Sequence, residues 1–383
     1  MHLNNIWFLI VAVFWVGFFI LEGFDFGVGM LHSFVGRNET ERRIAVNSIG
    51  PIWDGNEVWL IVGGAAIFAA FPSWYATMFS TFYLALVVVL VALILRGMSF
   101  EFHRKVGDPR WRSFWKWSFT IGSALIPLLL GTALGDLLHG LPINAAHNYT
   151  GNFFGLLVPF GLFTGITLTV LCLLMGATYL TLKTDGELHD RVARLSARSG
   201  WVSVALCFGW LTWSHVGLAN QGFVPSPLDA LAMVSVIAAA LLAESRAEGW
   251  AFAAAATAIG SVVGSIFFDL FPRVMVSSTS TAYNLTVGNT ASPSYTLKVM
   301  TVVAVIFTPV VLAYQGWSLW VFRKRLTSGP VGPDGTPTGS KGSDGTVKPS
   351  RLGAAAAAVV AATTPAVVAP AADGPADGSA GQE

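Results

Sequence analysis

Glu22-Gly23-Phe24-Asp25-Phe26-Gly27 places two carboxylates inside an apolar run that extends from about Ile6 to Leu31. A helix of roughly 20 residues crosses the hydrocarbon of a bilayer, so a span beginning at Ile6 carries Glu22 past its middle. An ionised acid near a bilayer centre costs at least about 2.5–3.5 kcal/mol. Such groups persist when they are paired, protonated or turned to a polar interior. Glu22 and Asp25, three apart, share one helix face, and Gly23, Gly27 and Gly29 beside them let a second helix approach closely. The bland alternative, that both acids cap or snorkel near a helix end, fits their depth less well.

Composition points the same way. Of 383 residues, 54% are hydrophobic and 11% charged, against about 25% charged in soluble domains; the mean hydropathy is +0.63. A net charge of +1 is no nucleic-acid footprint, which needs concentrated basic charge. Cys172 and Cys207 both fall in apolar runs, with neither disulfide nor metal spacing. The first apolar run is too long for a cleavable signal peptide and lacks a basic leader.

Runs of about 20 apolar residues define nine expected spans, near 6–31, 53–71, 74–95, 116–139, 153–182, 200–217, 226–244, 250–271 and 298–322. The expected fold is therefore an all-α integral membrane protein, with two four-helix bundles and one extra helix. Alternating loops collect 20 of the 22 Lys and Arg residues on one side; only Arg273 and Lys298 fall on the other. Basic loops stay cytoplasmic, which puts the amino terminus outside and the carboxyl terminus inside. Residues 272–297, rich in Ser, Thr and Asn, read as an ordered cap or a mobile outer loop. The nine-helix domain is expected over 1–326. From 327 to 383 the composition turns to Ala, Gly and Pro, expected as a disordered cytoplasmic tail.

A second acidic pair, Asp54 and Glu57, opens the span after Pro51. It lies towards the same membrane side to which the first helix descends. The two pairs form either a polar ladder of the kind used for proton relays or, at Asp54, an N-terminal cap. Arg96 ends the apolar run Leu84–Leu95; it is either a snorkelling anchor or the counter-charge to a buried acid or to a bound anionic group. No histidine sits in mid-span and no haem or zinc motif occurs, so no metal ligand is assigned. Most tryptophans belong to an aromatic belt; Trp59, which follows the acidic cluster into the bilayer, does not.

Three stretches then resemble subunit II of the cytochrome bd-type quinol oxidases: 22–30, 36–43 (Gly-Arg-Asn-Glu-Thr-Glu-Arg-Arg) and 51–60 (Pro-Ile-Trp-Asp-Gly-Asn-Glu-Val-Trp-Leu). Shorter matches at 150–154, 176–180, 271–278 and 284–286 extend the resemblance to about residue 325. Glu22 stands where related proteins carry an aspartate. The resemblance implies a heterodimer with a subunit I that ligates haem b and haem d, oxidises quinol and reduces oxygen to water. Turnover would generate a proton-motive force in the bacterial inner (plasma) membrane. In this chain it implies no catalytic residue, a proton path through Asp25 and Asp54 continued by Glu22 and Glu57, interface support for haem from Arg96, and an oxygen route lined by Trp59. It leaves open whether a quinone or lipid binds this chain and whether a small accessory subunit attaches. Two alternatives remain: a proton-coupled secondary transporter, and a purely structural membrane subunit.

Overall fold

The computed structural model describes residues 3–103, 105–218 and 226–326. The tail expected over 327–383 lies outside them. The first helix, α1 (Leu3–Val35), runs along the centre and packs against four of the later long helices. They are α3 (Trp53–Ala70), α6 (Pro109–His139), α7 (Pro159–Lys183) and α10 (Glu248–Leu270). Around them lie α5 (Tyr83–Phe102), α8 (Gly186–Thr212) and α9 (Pro227–Glu244), and α12 (Ser294–Val321) runs along the outside. Among the described residues, seven helices are long and apolar enough to cross a membrane: α1, α5, α6, α7, α9, α10 and α12. Two expected spans, now α3 and α8, carry polar or charged amino-terminal turns that lower their hydropathy.

Close approach at the centre depends on glycine. A Cβ on Gly27 would fall 2.6 Å from the Gly176 Cα, so α1 and α7 touch backbone to backbone. A Cβ on Gly131 would fall 2.8 Å from the Gly165 Cα, which brings α6 onto α7 in the same way. In lipid, where apolar surface gains nothing by leaving the solvent, packing this tight is what holds helices together.

The structure departs from the expected spans in four places. The run 74–95 is two helices, α4 (Pro72–Thr81) and α5, separated at Phe82 (φ −91°, ψ 14°). Ser80 and Thr81 both turn their hydroxyls back onto the Thr77 carbonyl, and such local bonds compete with helix continuation. The run 153–182 opens with an Asn152-capped 3₁₀ turn, and the helix proper begins at Pro159. The span expected at 200–217 starts 14 residues earlier, because residues 186–199 form an amphipathic half-helix that buries Leu188, Val192, Ala193, Ser196 and Ser199. Residues 39–49, expected as loop, form α2 (Glu39–Ile49), with the Asn38 side chain accepting from the Glu41 amide.

Residues 272–297 are an ordered cap. Strand β1 (Arg273–Met275) pairs antiparallel with β2 (Leu285–Thr286). Ser277 donates to the Ile143 carbonyl at 3.0 Å, and the Ser292 amide reaches Ala70 at 2.8 Å. Beyond it, the short α11 (Val287–Thr290) leads into α12, of which only Leu297 and Gln315 are buried. Three attachments hold that helix. Trp7 donates to the Leu297 carbonyl and the Thr301 hydroxyl. Gln315 reaches inward. Lys183 binds the Phe322 carbonyl, and Arg325 binds Glu248 at 2.6 Å.

At the opposite end of the bundle from the cap, Arg191 on α8 joins α2 to the bundle. It ion-pairs with Glu41 and donates to the Val35 carbonyl at 3.1 Å. Burial alone would push the Glu41 carboxyl up; the Arg191 guanidinium and the Arg37 amide outweigh it and hold Glu41 below the usual glutamate range. A carboxylate held low contributes its stability above its unfolded value and loses it as pH falls through the folded one. Hydrogen exchange in α2, corrected for intrinsic rates, should therefore quicken on acidification in the wild type and already be fast at neutral pH in Glu41→Gln. Gly27→Ala should cost about 1–3 kcal/mol by overpacking, read as earlier thermal unfolding of the purified protein.

Candidate functional site

Four helices bring polar groups to one buried point. From α1, Glu22 and Asp25 both have zero exposure, which excludes a cap or a snorkelling role for either. From the first turn of α3 come Asn56, fully buried, and Glu57, whose side chain is 17% exposed. Arg96 enters from α5 with no exposure, and Gln315 enters from α12.

Arg96 decides the electrostatics. Its Nη1 lies 2.5 Å from Glu22 Oε1 and 3.9 Å from Glu57 Oε2. The guanidinium also stands over the Phe26 ring at 4.9 Å and near the Trp53 ring at 6.0 Å, positions that attract a cation. Arg96 is thus the counter-charge of the two expected readings, and no snorkelling anchor. A separate hydrogen-bonded line runs through amides: Gln315 donates to Asn56 Oδ1 at 2.6 Å, and Asn56 donates to Asp25 Oδ2 at 2.7 Å.

The Arg96–Glu22 contact is close but poorly aligned as a hydrogen bond. Among the described residues, both Glu22 oxygens, Asp25 Oδ1 and all three Arg96 nitrogens lack hydrogen-bond partners. Unmet capacity on this scale, concentrated in one place, suits internal water. Two carboxyls reach the single guanidinium and a third, Asp25, sits on the Asn56 amide, an excess of acid over counter-charge.

Asp54 is not part of the buried cluster. It is exposed in the first turn of α3, where it makes no side-chain cap hydrogen bond but where a carboxylate complements the helix dipole. Trp59 is buried against α1: a Cβ on Gly17 would fall 2.7 Å from its ring, and Phe14 meets it edge to face at 6.1 Å. Asn56 and Gln315 are members that sequence reasoning missed. Gln315 had a visible signal, as the lone amide in the apolar run 298–322. Asn56 was hidden between two acids that drew attention first.

Among the described residues, no group of three or more His, Cys, Asp and Glu could hold a metal ion. The buried His32 has both ring nitrogens engaged, Nδ1 on the Gly29 carbonyl at 2.8 Å and Nε2 on Ser33 at 3.2 Å. His189 and His215 face Glu248 and Asp229. These donor sets do not fit an axial haem ligand. Asp229 caps α9 in a capping box with Ser226.

A polytopic helical bundle that buries an acid-rich charge cluster around one arginine defines the class of integral membrane proteins with a polar interior. Comparison narrows the class. The family model for the cytochrome bd terminal oxidase subunit II matches residues 3–322, and the chain belongs to that family. It is 44% identical over 328 residues to the cytochrome bd ubiquinol oxidase subunit 2 of Bacillus subtilis, covering 85% of this chain and 97% of that one. It is 39% identical over 361 residues to the cytochrome bd-I ubiquinol oxidase subunit 2 of Escherichia coli K12, covering 85% and 95%. A probable cytochrome oxidase subunit 2 of Haemophilus influenzae is 36% identical, with the same coverage. The chain is accordingly a bacterial membrane protein and a member of a respiratory oxidase complex.

Removing Arg96 while leaving Glu22 buried strands a charge, which costs about 3–5 kcal/mol. Arg96→Leu should sharply lower the amount of assembled protein in membranes. The double variant Arg96→Leu with Glu22→Gln should recover part of it, because the stranded charge is gone.

Proposed function

We propose that this chain is the subunit of a cytochrome bd-type quinol oxidase that carries protons towards the oxygen-reducing centre of a partner subunit I. The observation that supports it is the gradient of burial along one line of acids: Asp54 exposed, Glu57 half-buried, then Asp25 and Glu22 with no exposure. Asp54 collects protons at the surface and Glu57 is the intermediate stop. Asp25, with Oδ2 held by Asn56 and Oδ1 unpartnered, hands them on. Arg96 balances the charge and stiffens the wall facing the haem-bearing partner, and Trp59 lines an apolar route for oxygen beside α1.

The arrangement rests on nine crossings. To the seven helices of sufficient hydropathy are added α3 and the second half of α8. The expected division into two four-helix bundles is not followed by the packing, because α7 lies against both α1 and α6, while α12 stays at the edge. With the amino terminus outside, the acids open towards the cytoplasm. Protons drawn from that side for water formation leave a charge difference worth about 2.3 kcal/mol per charge at 100 mV, which is how reduction of oxygen by quinol would sustain a proton-motive force. Haem b, haem d and the quinol belong in this scheme to subunit I.

A scaffold role for the same acids has one observation in its favour, the direct Arg96–Glu22 pair, which would serve assembly as well as transfer. Asp25→Asn and Asp54→Asn separate the two. On the proton-path reading, quinol-driven oxygen consumption falls by about 10²-fold, within the range for a lost acid–base group, while the haem spectrum of the complex stays intact. Full turnover in both variants would remove these residues from any path; loss of the spectrum together with turnover would favour the scaffold.

A further inference from the structure

The stretch Gly36-Arg-Asn-Glu-Thr-Glu-Arg-Arg43 has no part in the acid line, yet its residues are placed with care. Asn38 caps α2 and Glu41 takes Arg191. Arg42 is turned back by the Gly36 carbonyl at 3.1 Å. The Arg43 side chain makes no ion pair or hydrogen bond among the described residues, and it lines a cleft. The cleft is small, about 90 Å³, and lies between α2, the last turn of α5, the first turns of α6 and the end of α1.

Two more cations share its lining. Arg42 and Lys116 are only half-buried, and His103 stands beside them. Lys116 has an aromatic neighbour, Trp117 at 5.1 Å, but no carboxylate partner among the described residues. One acid lines the same space: Glu39, 3.9 Å from both Arg42 Nη1 and His103 Nδ1. Two arginines and a lysine against a single glutamate leave the cleft positive. Its inner wall is Phe100, Phe119 and Trp115, the last two buried. A positive mouth over an aromatic wall, at the basic ends of membrane helices, suits a ligand with an anionic head and an apolar body.

We infer that this cleft binds the phosphate of an anionic phospholipid, with Arg43 and Lys116 as its two principal charge contacts. Basic pockets between helices on the cytoplasmic side take acidic head groups in this way, and each Lys or Arg near the surface strengthens the attraction. Guanidinium and phosphate match as a planar fork on a tetrahedral anion, which gives Arg43 a role that a free surface arginine lacks. The inference does not depend on the proton path and would stand if that path were absent.

The test uses the complete oxidase complex, stripped of lipid in detergent and analysed by native mass spectrometry and thermal unfolding. Phosphatidylglycerol, phosphatidylcholine or inorganic phosphate is added back to separate samples. Wild-type complex should retain phosphatidylglycerol at one saturable site and unfold later in its presence, with no such effect from phosphatidylcholine. Arg43→Gln with Lys116→Gln should weaken that binding about 30-fold, from two surface charges. Arg112→Gln, an exposed basic residue outside the cleft, should leave it unchanged. An equal shift from inorganic phosphate alone would keep the anion site and make its ligand soluble phosphate. Equal retention of phosphatidylcholine by the wild type, a comparison that needs no variant, would overturn the inference. So would undiminished binding in the double variant with its haem spectrum intact.

Discussion

One arginine in a low-dielectric interior sets the terms for the middle of this bundle. Moving a full charge out of water costs several kcal/mol even after relaxation, so Arg96 requires acids close by, and Glu22 and Glu57 supply them from two other helices. Three elements far apart in sequence are thereby fixed in rotation and depth. The glycine contacts act in the same sense. With Gly27 against Gly176, α1 lies close enough to α7 that its polar face is directed towards α3 and α5. Tight packing on one face of α1 and charge pairing on the other are two parts of one constraint.

The acids beyond that pair are harder to account for as structure alone. A single carboxylate would neutralise Arg96; the cluster holds three carboxyls and an amide line besides, with several polar atoms unpartnered. Carboxyls beyond the number that one guanidinium neutralises are costly to keep in a low-dielectric interior. Functional sites are where such departures from local consistency are expected.

How much could be read from sequence depends on what each method senses. Hydropathy runs found every long apolar helix, because lipid selects for composition over about 20 residues. They missed α2 and the first half of α8, whose burial is periodic and whose mean composition is polar. They also merged α4 with α5, since both halves are apolar and only the serine and threonine hydroxyls near Phe82 mark the break. At the site, Glu22, Asp25 and Arg96 were legible because a charge in an apolar run is conspicuous. Their partnership was legible only as one of two alternatives, since Arg96 lies 74 positions from Glu22 and nothing local fixes that distance. Asp54 and Glu57 looked equivalent on paper. A rotation of α3 that only tertiary packing sets leaves one outside and turns the other in.

The outermost helix, α12, touches its neighbours mainly at its two ends and through Gln315. The donor that closes the inner amide line therefore comes from 259 positions further along the chain than the residue it holds. Asn56 owes to Gln315 a settled orientation towards Asp25. A helix with almost no buried surface of its own thus fixes, through one side chain, the posture of an amide at the centre of the bundle.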